Sequence, residues 1–295
     1  MRLLSLRFPE GKSKLFTLSY DDGIKQDIRL LSLMEKYGIK GTFNLNSNRF
    51  APVATEYNEN DYIKRHLLSK KEVLQLYASP NAEVAVHGAE HIFPSKIPDS
   101  VCMQEFFQDR LQLEELFGKI IRGCAYPYGI YDDNTVDILR LCGIVYARTV
   151  NNTNSFDIPS DWLRLNPTCH HNSNEIFNLI EKFINKTPDL DPYFFYVWGH
   201  SYEFDEKNNW DHIEEIFKKV SGKEDVWYCT NIEAYEYIEA FKSLVFSTDG
   251  SIIHNPTAMT LWAQVELPVT FNDKGKMPTP ERIIIKINPG ETVKL

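Results

Sequence analysis

The sequence lacks the features that membrane, nucleic-acid-binding and disulfide-rich proteins need. No apolar run reaches the ~18 residues of a membrane-spanning helix, and the amino terminus shows no signal-peptide pattern. The five cysteines are odd in number without CxxC spacing, so we expect buried free thiols in a reducing compartment. The formal net charge of −9 argues against a nucleic-acid partner. Together these absences predict a cytoplasmic protein without a membrane span; they leave its oligomeric state open.

The pattern of apolar residues predicts an α/β protein. The 295 residues, 43% of them hydrophobic, suffice for one large domain with a small addition. Apolar runs of strand length alternate with helix-period segments, as they do around a parallel sheet. The predicted strands are 15–19, 41–45, 83–86, 120–126, 144–147, 193–198 and 226–229. The predicted helices lie near 25–37, 70–78, 100–117, 133–142, 173–185, 208–220 and 231–243.

Polar residues follow four of these strands, and their distribution favours a barrel. They are Asp21 and Asp22 after the first strand, His87 and His91 after the third, residues 126–129 after the fourth and His200 after the sixth. In a barrel all strand ends converge on one face, whereas a doubly wound sheet gathers them only near its switch point. We therefore predict a (β/α) barrel with a site at the carboxyl ends of its strands.

The pattern changes after residue 243. Asp249 and Gly250 lie between two apolar runs and predict a tight hairpin, while residues 261–267 and 282–287 also resemble strands. We therefore predict a barrel domain over residues 1–243 and a small antiparallel β appendage over residues 244–295. The polar stretch 46–65 is expected to form a surface loop beside the site.

Two adjacent acids at the end of an apolar strand are the strongest chemical signal. Asp21 and Asp22 cannot both ionise cheaply unless a cation or a shared proton relieves their repulsion. His87 and His91, four residues apart, end another strand and complete the ligand set of a hydrolytic metal site. Taken separately, the acids also suit a helix N-cap and the histidines an ordinary loop; their combination favours the metal site.

These residues resemble two motifs of the polysaccharide deacetylase family, also called the NodB-homology or carbohydrate esterase family 4 group. Tyr20-Asp21-Asp22-Gly23 matches the first motif, which implies that Asp21 is the general base and Asp22 a metal ligand. His87 and His91 match the second, which implies two further ligands, although Gly88 replaces the usual Ser or Thr. The resemblance covers roughly residues 14–240 and implies a distorted seven-stranded (β/α) barrel.

The third motif departs from the family pattern. Ala125 occupies the position of an arginine that normally orients the catalytic acid, and we predict Arg164 as its substitute beside Asp21. Tyr128, at the family's oxyanion position, is expected to donate its backbone N–H to the developing oxyanion.

The remaining motifs imply an acid catalyst and a substrate groove. Asp161 and Trp162 resemble the fourth motif, so Asp161 is expected to hydrogen-bond His200, the general acid implied by the fifth motif. Trp162 is expected to line the groove, although a core tryptophan is the alternative. The other residues predicted to contact substrate, or in the case of the two histidines to brace the site, are Tyr126, Trp198, His170 and His171.

The resemblance implies a metal-dependent hydrolase that removes acetyl groups from an N- or O-acetylated saccharide. One divalent ion is expected, with zinc the default and cobalt or nickel as alternatives. Two other functions stay open: hydrolysis of linear C–N amide bonds, and a catalytically silent barrel that binds carbohydrate.

Overall fold

The computed structural model describes residues 3–51, 67–266 and 281–295. Within these ranges the helices are α1 (Gln26–Lys36), α2 (Lys70–Leu76), α3 (Asp99–Phe117), α4 (Asp133–Leu141), α5 (Ile176–Asn185), α6 (Tyr202–Glu206), α7 (Trp210–Val220) and α8 (Asn231–Lys242). The strands there are β1 (Leu3–Arg7), β2 (Lys14–Asp21), β3 (Gly41–Leu45), β4 (Ala82–Val86), β5 (Gly123–Ala125), β6 (Tyr146–Arg148), β7 (Cys169–His170), β8 (Tyr193–Gly199), β9 (Val226–Tyr228), β10 (Val245–Phe246), β11 (Ile252–His254), β12 (Leu261–Glu266), β13 (Arg282–Ile287) and β14 (Thr292–Lys294).

A curled parallel sheet forms the body of the protein. Its strands run in the order β6-β5-β4-β3-β2-β8-β7, and β9 pairs with the beginning of β2. The chain from Leu165 onward bridges β6 and β8. The Leu165 N–H donates to the Ala147 carbonyl and the Thr149 N–H to the Leu165 carbonyl, both over 2.9 Å, while the Thr168 N–H reaches the Tyr196 carbonyl over 2.8 Å. The predicted distorted (β/α) barrel is confirmed.

The core explains why these segments form strands and helices. Strand β2 lies inside the sheet and is buried along its whole length, so Thr17 and Ser19, which alternate with its apolar residues, are buried as well. Each predicted strand and helix up to residue 243 has a counterpart, and β1, β7 and α6 are additions. Helices α2 and α8 both begin with a reciprocal capping box, formed by Ser69 with Glu72 and by Thr230 with Glu233.

Two small antiparallel sheets accompany the barrel. One has the order β1-β12-β13 and the other β10-β11-β14. The predicted hairpin is present, with Phe246 paired to Ile253, but its connection spans residues 247–251 rather than two residues. Strand β1 was not predicted. Its residues fall within the predicted barrel domain, 1–243, but it pairs across the predicted boundary with β12. The domain boundary at residue 243 remains a prediction.

Some expectations fall partly outside the described residues. The predicted loop 46–65 lies outside them from residue 52 onward, and the predicted strand 261–267 lies outside them at its last residue.

None of the helices in the described ranges has the length and apolar character required to span a membrane. All five cysteines are free and buried, as predicted.

Candidate active site

The carboxyl ends of the barrel strands surround a cavity of about 260 Å³. Strands β2, β4, β5, β6 and β8 each supply side chains at or just after their last residue, because parallel strands end at the same edge of a sheet. The cavity is lined by Asp21, Asp22, His87, His91, Tyr126, Tyr128, Gly129, Arg148, Val150, Trp198, His200 and Tyr202.

His87 and His91 direct ring nitrogens at each other. The His87 Nδ1 lies 2.8 Å from the Ala125 carbonyl, and because a carbonyl can only accept, Nδ1 carries the proton. Burial lowers the pKa of His87, so the ring is neutral and its Nε2 presents a lone pair. That Nε2 lies 3.1 Å from the His91 Nε2, and burial together with His87 lowers the pKa of His91 to about 4. Both rings are thus in the form that binds metal ions.

Asp22 completes a ligand set with these histidines. Its backbone is left-handed, with φ 81°, and its buried Oδ1 has no hydrogen-bond partner among the described residues. The side-chain nitrogens within 4 Å of this oxygen are His91 Nε2 at 3.7 Å and Arg49 Nη1 at 3.8 Å. One ligand atom from each of Asp22, His87 and His91 lies within 4.8 Å of the others. An unsatisfied buried carboxylate oxygen facing two imidazole nitrogens fits a divalent cation.

Asp21 lies beside this set and is held by two other side chains. Asn44 donates to its Oδ1 over 2.7 Å, and the Arg148 guanidinium forms a buried ion pair with its Oδ2. The Nε2 atoms of His87 and His200 each lie 3.7 Å from the same Oδ2. Although burial opposes ionisation, these groups, Arg148 foremost, hold the pKa of Asp21 well below its usual range. Asp21 is therefore a carboxylate.

The prediction that Arg164 pairs with Asp21 is wrong. Arg164 lies on a surface turn, where it pairs with Asp161 and Asp133. Arg148 ends strand β6, so its side chain enters the cavity, and its guanidinium stacks over the Trp198 ring at 4.5 Å. In the sequence, Arg148 follows an apolar predicted strand, as Asp21 and Asp22 do. The reasoning that selected those acids could therefore have selected Arg148 as well.

The expected pairing of Asp161 with His200 is also wrong. Asp161 accepts from the Leu163 N–H over 3.0 Å and binds Arg164. Glu203 takes its place, with Oε1 2.9 Å from the His200 Nδ1. Although burial opposes protonation, Glu203 and the charge of Asp21 raise the pKa of His200. The spacing of three residues from His200 to Glu203, within one helical turn, was the available signal.

His170 and His171 lie behind the cavity wall, where both contact Glu203 and His170 also packs edge-on against Trp198. The His170 Nε2 lies 3.1 Å from Glu203 Oε1, and the His171 Nε2 lies 3.6 Å from Oε2. His171 is fully buried and stacks on Tyr20, and burial lowers its pKa to about 3. Neither histidine lines the cavity, so their position suits bracing rather than contact with substrate.

Three of the predicted aromatic residues line the cavity and one does not. Tyr126 is buried and donates to the Leu163 carbonyl over 2.7 Å, and Trp198 covers Arg148. Tyr128 has a left-handed backbone, φ 58°, and an exposed ring. The prediction that Trp162 lines the groove is wrong, because it is a core residue.

Trp162 lies in the core between β8 and α8. It packs against Phe194 and Tyr235, and its ring N–H donates to Glu239 over 2.9 Å. A further aromatic beside the cavity is Phe93, whose ring stacks on that of Tyr128 at 4.1 Å. The sequence did not single out Phe93, which follows His91 by two positions.

Comparison with known proteins bears on this geometry. The chain matches the polysaccharide deacetylase family model over residues 9–147, which contain Asp21, Asp22, His87, His91 and Tyr128. The predicted resemblance to the polysaccharide deacetylase family is confirmed. No curated protein sequence matches the chain.

Deacetylase structures from other organisms share the fold. A Mycobacterium smegmatis protein assigned to the polysaccharide deacetylases is 15% identical, with a TM-score of 0.56 over 82% of this chain and 96% of its own. The Xyl-CE4 domain of a xylanase from the hindgut metagenome of Trinervitermes trinervoides is 15% identical, with a TM-score of 0.52 over 77% and 92%. At these identities the likeness shows the fold alone. The chain covers only 44–61% of three further structures, among them the Streptococcus pyogenes deacetylase PplD, at 19% identity, a TM-score of 0.40 and 50% of this chain.

Proposed function

We propose that this protein is a metal-dependent hydrolase that removes acetyl groups from an acetylated carbohydrate. The observation that carries the proposal is one cavity that unites a candidate metal ligand set, a carboxylate with a lowered pKa and a histidine with a raised pKa. These are the components that amide or ester hydrolysis requires. The deacetylase family match supports an acetylated carbohydrate as the substrate class.

Asp22, His87 and His91 would hold the ion, with zinc the default. A bound ion of this kind acidifies a water molecule and polarises the acetyl carbonyl. The Ala125 carbonyl fixes the tautomer and the orientation of the His87 ring, so one ligand lone pair is directed before any ion arrives.

Asp21 accepts the proton of the attacking water. Its ion pair with Arg148 keeps it unprotonated across the working pH range, at the expense of some basicity. Asn44 binds Oδ1, while Oδ2 carries the Arg148 ion pair and also lies 3.7 Å from the Nε2 atoms of His87 and His200. Asp22, the second carboxylate of the pair, can then serve as a metal ligand.

His200 donates the proton that the leaving group needs. Its Nδ1 is engaged by Glu203 and its Nε2 points toward Asp21, so Nε2 is the atom that delivers the proton. The raised pKa keeps more of the ring protonated near neutral pH. The Tyr128 backbone N–H is proposed to stabilise the oxyanion.

The rim of the cavity suits a sugar. The exposed ring of Tyr128, stacked on Phe93, and the ring of Trp198 offer flat apolar faces on two sides of the ligand set. Such faces pack against the C–H surfaces of pyranose rings. A cavity of about 260 Å³ suits one small group, such as the acetylated residue of a longer saccharide.

Acetate release tests the proposal. The zinc-loaded protein is assayed against N-acetylated and O-acetylated oligosaccharides and against linear C–N amides, with His87→Ala as the inactive variant and His254→Ala in β11 as the matched control. Acetate from a saccharide, abolished only in His87→Ala, is the expected result. Amide turnover without acetate would point to the C–N hydrolase, and no turnover to the silent barrel.

A further inference from the structure

The loop that carries both histidine ligands has little structure of its own. It leaves strand β4 at His87, and Gly88 and His91 both have left-handed backbones, with φ 76° and 56°. A left-handed conformation is unfavourable for a residue such as His91 and persists only when the surroundings impose it. Gly88 has no side chain that could brace the loop, so the bracing contacts come from other residues.

Asp109, on helix α3, contacts the first ligand directly. Its carboxylate is completely buried, and Oδ2 accepts the backbone N–H of His87 over 2.9 Å. The other oxygen, Oδ1, accepts the backbone N–H of Ser47 over 2.8 Å. One side chain therefore joins the ends of β3 and β4 at the position where the ligand loop begins.

Glu105 lies one helical turn earlier and contacts the middle of the loop. Its Oε1 accepts the backbone N–H of Glu90 over 2.7 Å, immediately before the second ligand, His91. The backbone carbonyl of Glu105 also accepts the Ala89 N–H over 3.4 Å. Together Asp109 and Glu105 bind the loop at both ends of the interval between the two ligands.

Gly88 packs closely against the Glu105 side chain. A β-carbon added there would lie 3.0 Å from Glu105 Oε1 and 3.4 Å from the Pro127 ring. Because these contacts are tight, a larger residue at position 88 would require the Glu105 carboxylate to shift. A glycine at this position therefore suits the carboxylate in its present place.

We propose that Asp109 and Glu105 are positioning residues that set the spacing of the His87 and His91 ring nitrogens for the metal ion. The inference rests on the proposed function, because it assumes that these histidines bind a metal. Burying two carboxylates on one helix is costly unless each has hydrogen-bond partners. Here the partners are the backbone N–H groups of His87 and Glu90 in the ligand loop and of Ser47 after β3, so the helix supports the loop through those bonds.

The test measures zinc affinity in Asp109→Asn and Glu105→Ala, with Glu115→Ala on the exposed side of α3 as the control. Competition with a chromogenic chelator gives the Kd of folded protein, and cobalt absorption spectra report the ligand geometry. We expect both variants to bind zinc about 10–100-fold more weakly, with altered cobalt spectra, as is usual for residues that support ligands. Glu115→Ala should match the wild type.

Glu105→Ala keeps the test decisive if Asp109→Asn does not fold. A merely structural role would lower the Tm of the metal-free protein and leave the zinc Kd unchanged. Wild-type zinc binding combined with an unchanged Kd and cobalt spectrum in the folded variants would overturn this inference alone. Absence of zinc binding by the wild-type chain would overturn the proposed function and the inference together.

Discussion

Replacing Arg148 by methionine removes one member of a buried ion pair. Arg148 and Asp21 are 1% and 2% exposed, so the variant leaves the Asp21 carboxylate in the cavity wall without its cation. Breaking a buried pair in this way costs about 3–5 kcal/mol of the free energy of unfolding. Methionine keeps an apolar side chain near Trp198 but loses the stacked guanidinium, a contact that contributes about 0.5–2 kcal/mol.

Urea unfolding of the metal-free protein measures this cost without interference from metal binding. Arg164→Met is the matched control, because Arg164 forms its pairs with Asp161 and Asp133 at the surface, where such pairs contribute about 0–1 kcal/mol. Asp21→Asn in the Arg148→Met background removes the stranded charge. We expect the double variant to be more stable than Arg148→Met alone.

Two results would refute this reasoning. Equal stability of Arg148→Met and Arg164→Met would mean that the buried pair is not maintained in solution. A double variant less stable than Arg148→Met would mean that the Asp21 charge is satisfied by another group. Either result would mean that Arg148 is not the cation that neutralises Asp21 in solution.

Three further predictions concern the acid catalyst, the barrel core and the small sheets. Glu203→Gln should lower the pKa of His200, so the fall of kcat/KM at high pH should begin at lower pH than in wild type; an unshifted profile, or an equal shift in Glu206→Gln, would contradict this role. Burial raises the pKa of Glu83 to about 7 from 4.5, so its neutral form contributes stability that is complete below pH 4.5 and is lost as pH rises through 7. Glu83→Gln should therefore remove about 3 kcal/mol of this pH dependence from chemical unfolding curves, and an unchanged curve would be the contrary result. Deleting residues 244–295 should unpair β1 and lower solubility while folded protein keeps its zinc, and loss of zinc per folded chain would assign these residues to the site.

The barrel and the ligand set could be predicted because each rests on a local pattern. Strand-length apolar runs and helix-period segments specify the elements, and parallel strands ending together bring Asp22, His87 and His91 to one edge. The antiparallel pairing of β1 with β12 could not be predicted in this way, because it joins residues at opposite ends of the chain and leaves no local signal.

The partners of the catalytic groups depend on side-chain direction, which sequence spacing does not reveal. Arg148 lies 127 positions from Asp21, and the two meet only because β6 and β2 end on the same face of the barrel. Arg164 and Asp161 resemble the expected residues in type and spacing. They lie on a surface turn, so they pair with each other instead.

A zinc titration of acetate release tests the central claim most directly. Metal-free protein is given increasing equivalents of zinc, and acetate release from an acetylated oligosaccharide is followed beside the metal content of the folded protein. The account predicts that activity and bound zinc rise together to one equivalent, and that His87→Ala and His91→Ala gain neither. Full acetate release by metal-free protein, or stoichiometric zinc in both variants, would contradict it.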